Sequence, residues 1–312
     1  MQKKWRKVLD ELPDTPEKIP AFFFGHGAPM TMGPDSDSAG HVPASILSWG
    51  GASGPLATFL KDFGPALLKK YQPKGIVVFS AHWETDGERL VTDYGETNPL
   101  LYDYFIKIAP SFYEIDFESR GDTVLAQRVV DLYKAAGQRA RLTPRTEARG
   151  EDGRGFTGPG LDHGVFIPFR IMFGNVFKDI PIVEVSIDLS LSPEVNWDVG
   201  KAVAQLREEG ILVLSGGFTV HNLDDLGCFS PETAKPVHIE FDRAVVQAAK
   251  IEDDAARKTA LINLVQHPGF GECHFPRADH FVPIYVAAGA GDGGAVRLVT
   301  YMYGCETIAF GL

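Results

Sequence analysis

The chain alternates between short apolar runs and longer stretches in which apolar positions recur at helical spacing. Residues 19–24, 76–79, 181–187 and 211–214 are nearly uninterrupted apolar runs. Runs of that length fit strands buried on both faces. Residues 89–94 and 296–302 read as further strands, the latter as the last of the sheet. Between them, Leu56, Phe59, Leu60, Phe63, Leu67 and Leu68 fall on one helical face and predict a helix over 55–71. The same argument predicts helices over 122–136, ended by Gly137, and over 194–209, 238–250 and 254–265. Short apolar helices follow Pro168, to Phe173, and Pro283, to Ala288. Strands alternating with helices predict an α/β fold, a single three-layer α/β/α sandwich with a mostly parallel or mixed central sheet. Residues 1–19 read as an N-terminal lead-in and 20–312 as one domain. No linker or repeat divides the chain.

The places where apolar runs break carry the chemistry. The run over 76–79 gives way to Ser80, His82 and Glu84. The run over 19–24 ends in Gly25-His26-Gly27-Ala28-Pro29, and that over 211–214 in Ser215-Gly216-Gly217-Phe218-Thr219-Val220-His221-Asn222. In an open α/β sheet, ligands bind beyond the carboxyl ends of the strands. Of nine histidines, His26, His82, His163, His221 and His280 stand at such ends or at glycine turns. A lone histidine there is usually structural. Five together point to metal binding, because neutral imidazole is a common metal ligand and three leave positions open for substrate. His41 and His238 read as surface residues, and His267 and His274 as supporting or loop residues. Ser215 near His221 lacks the Gly-x-Ser-x-Gly elbow of a hydrolase. The glycine-rich residues 148–160 lack the Lys-Ser/Thr ending of a phosphate loop and read as a flexible active-site loop. Residues 30–54 read as a lid or wall. The aromatic cluster over 99–105 is either core or the wall of a pocket for a flat ligand, with Tyr102 and Tyr104 facing it.

Composition narrows the function classes. The 312 residues are 44% hydrophobic and 23% charged, as in ordinary globular proteins, and a formal net charge of -11 argues against nucleic-acid binding. No apolar run approaches the roughly 20 residues of a membrane span. Cys228, Cys273 and Cys305 are too few and too scattered for a disulfide framework or a structural zinc site. These features read as a cytoplasmic protein. The oligomeric state is not legible.

Gly25-His26-Gly27-Ala28-Pro29, Ser80-Ala81-His82-Trp83-Glu84, Asp162-His163-Gly164, His221-Asn222-Leu223, and His267-Pro268 with Asp279-His280-Phe281-Val282-Pro283 occur in that order. Together with Tyr102-Asp103-Tyr104-Phe105, they resemble the class III extradiol ring-cleavage dioxygenases, in the branch of the DOPA 4,5-dioxygenase-like proteins. The resemblance runs from about residue 20 to about residue 291. It departs at Ala28, where serine is commoner, and in glycine-rich inserts before Asp162 and over 269–279. It implies His26, His82 and His280 as metal ligands, His221 as the acid/base, and His163 nearby, holding a hydroxyl or dioxygen. It implies Fe(II), with Zn(II) as the alternative, since three neutral histidines suit either. The partners implied are a small catecholic substrate and O2. Other readings of the same three histidines are a zinc-dependent hydrolase or reductase, and a non-catalytic binding protein of the same fold.

Overall fold

The computed structural model describes residues 1–33, 42–104, 108–149 and 158–312. Its centre is an eight-stranded mixed sheet: β1 (Ala21–Gly25), β2 (Gly75–Thr85), β3 (Glu88–Asp93), β4 (Arg139–Pro144), β5 (Ile182–Asp188), β6 (Ile211–Gly217), β7 (Val296–Thr300) and β8 (Thr307–Phe310). They lie in the order β4-β3-β5-β2-β6-β1-β8-β7. The inner strands β5, β2, β6 and β1 run parallel, while β3 and β8 meet their inner neighbours antiparallel. The helices are α1 (Gln2–Glu11), α2 (Ala44–Gly50), α3 (Pro55–Tyr71), α4 (Thr123–Ala135), α5 (His163–Phe173), α6 (Pro193–Ala202), α7 (Pro236–Ala249), α8 (Asp254–Ile262), α9 (Phe270–Cys273) and α10 (Pro283–Ala290).

Successive strand residues point to opposite faces, so the uninterrupted apolar runs feed two cores. Phe22, Phe24, Ile76, Val78, Leu212 and Leu214 pack with α1, α3 and α5. Phe23, Val77, Phe79, Val183, Val185 and Val213 pack with α4, α6, α7, α8 and α10 on the other side. The result is the three-layer sandwich expected from the alternation. The lead-in carries α1, whose Trp5 and Leu9 are buried in the first core, with Trp5 Nε1 donating to Asp62 at 2.9 Å.

Three strand readings are corrected. β2 does not stop at Phe79 but continues to Thr85. Its pairing with β5 passes from Phe79↔Val185 directly to Glu84↔Ile187, so residues 80–83 bulge out of the ladder. The last strand is β8, not residues 296–302. It is only four residues long, and pairing between β1 and β7 defines it more than its own pattern does. β4 was not foreseen: Arg139 and Arg141 interrupt its apolar pattern, as an edge strand with one partner allows.

Candidate functional site

Five histidines converge on one cavity of about 490 Å3 beyond the carboxyl ends of β1, β2 and β6. His26 follows β1 directly, where Gly27 adopts φ 80° and turns the chain away. His82 stands on the bulged part of β2. The bulge lets a polar stretch leave the sheet plane without ending the strand. His280 is fixed against the end of β6: Phe218 N–H donates to its carbonyl at 2.8 Å, an approach that a Cβ at Gly217 would block. His163 begins α5, capped by Asp162, whose carboxylate accepts from Gly164 N–H at 2.8 Å. The helix therefore starts at His163, earlier than expected, because Pro168 is accommodated within it.

His26, His82 and His280 each offer a ring nitrogen within 4.8 Å of the others, and all three are buried. Nε2 of His82 and Nε2 of His280 face each other at 3.0 Å. Behind them, Nδ1 of His82 lies 3.2 Å from Asp103 and 3.3 Å from Asp162, and Nδ1 of His280 lies 3.2 Å from Asp279. A carboxylate behind the far nitrogen is the usual support of a metal-ligating histidine. Both ring nitrogens of His26 are buried without a hydrogen-bond partner, a costly arrangement unless another group occupies the site. These observations fit a divalent ion held by the three imidazoles.

The carboxylates are themselves held. Asp162 accepts from Ser80 Oγ at 2.8 Å and from Arg149 Nη2 at 2.8 Å. Arg149 is fully buried, 3.2 Å from Glu184, with its guanidinium 4.4 Å from the centre of the Trp83 ring. Burial works to raise Asp162, but Arg149 and His82 hold it well below the usual carboxylate range. Burial, aided by the charge on Asp162, drives Glu184 well above that range despite Arg149. One guanidinium thus stands between two buried carboxyl groups, donating to Asp162 at 2.8 Å and lying 3.2 Å from Glu184. Asp103 accepts from the His163 backbone N–H at 2.8 Å and lies 2.6 Å from His163 Nδ1. Against the upward push of burial, His163 and His82 hold Asp103 well below its ordinary range. An ionised Asp103 accepts from His163 Nδ1–H, which turns Nε2 of that ring toward the cavity.

His221 is held differently. Its backbone N–H donates to Cys273 O at 2.8 Å, and its ring stacks on His280 with centroids 3.6 Å apart. Burial first, then His280, pushes it well below the ordinary imidazole value, so the ring is neutral. Tyr104 lines the cavity, 5.4 Å from the His163 ring, while Tyr102 lies behind it against Phe166, donating to Ile115 O at 2.8 Å.

Other expectations change. His238 is buried on α7 rather than exposed. His274 is buried against Phe241 and Phe281, where burial drives it down to about 3. His267 accepts from Gly269 N–H within its own loop at 3.0 Å. Ser215 Oγ donates to Pro283 O at 2.8 Å, a structural contact. His41 and residues 150–157 of the glycine-rich loop lie outside the described residues. The flanks of that loop are tied down, Arg149 donating to Gly160 O at 2.8 Å. Residues 269–279 include α9, and Arg277 pairs with Glu84 of β2. The carboxylates Asp103, Asp162 and Asp279 and the buried Arg149 had no assigned role in the sequence reading. Only adjacency to aromatic or histidine positions marks the three carboxylates, and nothing local marks Arg149 beyond its place in the glycine-rich loop.

The family described as the catalytic LigB subunit of aromatic ring-opening dioxygenase matches residues 21–312. A Schizosaccharomyces pombe protein named 4,5-DOPA dioxygenase extradiol-like is 36% identical over 308 residues, covering 99% of this chain and 97% of that protein. The Escherichia coli K12 4,5-DOPA dioxygenase extradiol is 29% identical over 276 residues, covering 88% and 86%. The solved structure of an uncharacterized Escherichia coli K12 protein superposes with a TM-score of 0.66 at 25% identity, over 94% of this chain and all of that one. With a match over nearly its whole length and the fold to accompany it, this chain belongs to the LigB family of aromatic ring-opening dioxygenases.

Proposed function

We propose that the chain is an extradiol dioxygenase that opens a catechol-type ring with O2, using a divalent ion, Fe(II), held by His26, His82 and His280. The supporting observation is the convergence of three buried imidazoles, two of them backed by carboxylates, on the floor of a largely apolar cavity. Held by His26, His82 and His280, such an ion would supply the Lewis-acid and redox chemistry that a reaction of a catechol with O2 needs. In the overall reaction both atoms of O2 enter the product. The ring C–C bond beside the two hydroxyl-bearing carbons breaks, leaving an aldehyde and a carboxylic acid with no outside reductant.

The chain's own residues handle binding and protons. His163 Nε2, set by Asp103, accepts a hydrogen bond from a catechol hydroxyl. His221, a neutral ring at the cavity wall, takes a proton from the substrate and returns it as the ring opens. Tyr104 offers an edge to the flat ring. The surrounding apolar walls exclude water.

The test is oxygen uptake by protein purified without air and loaded with Fe(II), across a panel of catechols. One O2 consumed per catechol lost, with a yellow product, is the expected result. No uptake with any member of the panel sinks the reading. Zinc as the tightly held metal together with carbonyl-directed chemistry would move the site to the hydrolase or reductase class.

A further inference from the structure

We infer that the preferred substrate is a catechol whose ring carries an uncharged apolar substituent, an alkyl or aryl chain. The inference rests on the dioxygenase reading and narrows its substrate. The cavity of about 490 Å3 is within the range that takes drug-sized ligands, well beyond a single aromatic ring. Its histidines gather on the floor. Above them the walls come from α2, through Ile46 and Trp49, and from the facing turn Leu226–Phe229. Trp49 is a fixed wall, because its Nε1–H donates to Tyr303 O at 3.0 Å.

Among the described residues that line the cavity there is no lysine, arginine, aspartate or glutamate. The hydroxyl of Tyr104 is spent on Phe112 O at 3.2 Å. Against these described residues an ammonium or carboxylate on the substituent would give up its water without a counter-charge. An alkyl chain would instead bury its own surface against Ile46, Trp49 and Phe229. It would also cover Leu223 and Leu226, which line the cavity while remaining 38% and 44% exposed. Exposed apolar side chains at the rim of an apolar cavity extend the binding surface outward.

The experiment compares catechol, 4-ethylcatechol, 4-butylcatechol, 4-hexylcatechol and DOPA on the metal-loaded protein. Kd is measured by calorimetry without oxygen, and kcat/KM by oxygen uptake. The expected Kd tightens by about two- to fourfold per methylene over the first additions, with DOPA binding more weakly than 4-ethylcatechol. Leu226→Lys, at an exposed position that does not threaten folding, should cut the ratio of kcat/KM for 4-hexylcatechol over catechol by about tenfold or more. A flat dependence on chain length, or DOPA equal to or better than the alkylcatechols, overturns the inference while catechol turnover leaves the dioxygenase reading standing. A chain-length gain in Kd with no turnover of any catechol leaves an apolar binding site but removes the dioxygenase reading, and the inference about the substrate falls with it. If no catechol binds, both readings fall.

Discussion

On the β2 side of the cavity, His82 and His163 sit against buried carboxylates, Asp103 and Asp162, which Arg149 and a helix start hold in turn. On the β6 side, His221 lies flat on His280 between Phe218 and Phe229 and is tied to the protein through its backbone. The first arrangement fixes ring orientation and tautomer, as a metal ligand or a directed acceptor requires. The second buries the ring against His280 and aromatic side chains with Asp279 close by, and burial outweighs that carboxylate to favour a neutral ring. Under the proposed function, chemically identical side chains take different roles according to what stands behind them.

The largest effect expected separates those roles. His82→Ala should lose most bound metal, by more than the roughly 100-fold that loss of a supporting partner costs. His221→Gln should retain the metal and still bind catechol without oxygen, while turnover falls by about 10²–10⁴. Metal analysis and oxygen-pulse kinetics on both variants decide it. Wild-type turnover in His221→Gln would pass the proton role to His163.

The charged side can also be broken through its strut. Arg149→Leu leaves Asp162 buried without its guanidinium, so unfolding free energy should drop by about 3–5 kcal/mol. Urea midpoints at unchanged slope would measure this. Arg149→Lys should recover only part, because one ammonium does not reproduce the contacts to Asp162, Glu184 and Gly160. Full recovery would show that charge alone matters.

A finer probe is Asp103→Asn, which should weaken metal binding by about 10- to 100-fold. The carboxylate supports His82 and sets the His163 tautomer, so catechol affinity should fall as well. Calorimetric titration with metal and then with catechol reads both. Metal affinity equal to wild type would leave Asp162 as the support of His82.

The smallest effect lies away from the cavity, where α1 docks on α3. Hydrogen bonding from Arg6, with help from Trp5 and Gln2, holds the Asp62 carboxylate down at about 2, against an ordinary 3.8. A depressed folded value stabilises the protein above the ordinary value, and the gain is lost as pH falls through the folded one. Asp62→Asn should therefore lower the melting temperature slightly at neutral pH. The gap to wild type should close between about pH 4 and pH 2. A gap that persists unchanged at pH 2 would exclude the ion pair as its source.

Much of this was legible along the chain. Buried strands and amphipathic helices carry local patterns, and α3 appears at its expected bounds because its apolar face repeats without interruption. The histidines of the cavity stand out because polar residues directly after buried strands have few structural uses. The four-residue β8 and the arginine-bearing β4 did not stand out, since pairing defines them more than composition does. Nor did the bulge that turns His82 out of the ladder, which exists only relative to β5.

By itself, the sequence determined the layered α/β class and placed five histidines at the ends of apolar runs or in glycine turns, because periodicity and residue type are local properties. Only the tertiary structure decided that Asp103, Asp162 and Asp279 stand behind those histidines, that Arg149 is sealed between Asp162 and Glu184, and that Tyr104 rather than Tyr102 lines the cavity. It also decided the apolar wall formed by α2 and the turn Leu226–Phe229. These elements are far apart in the chain. Their meeting depends on how a twisted sheet and its crossovers bring distant strand ends to one edge.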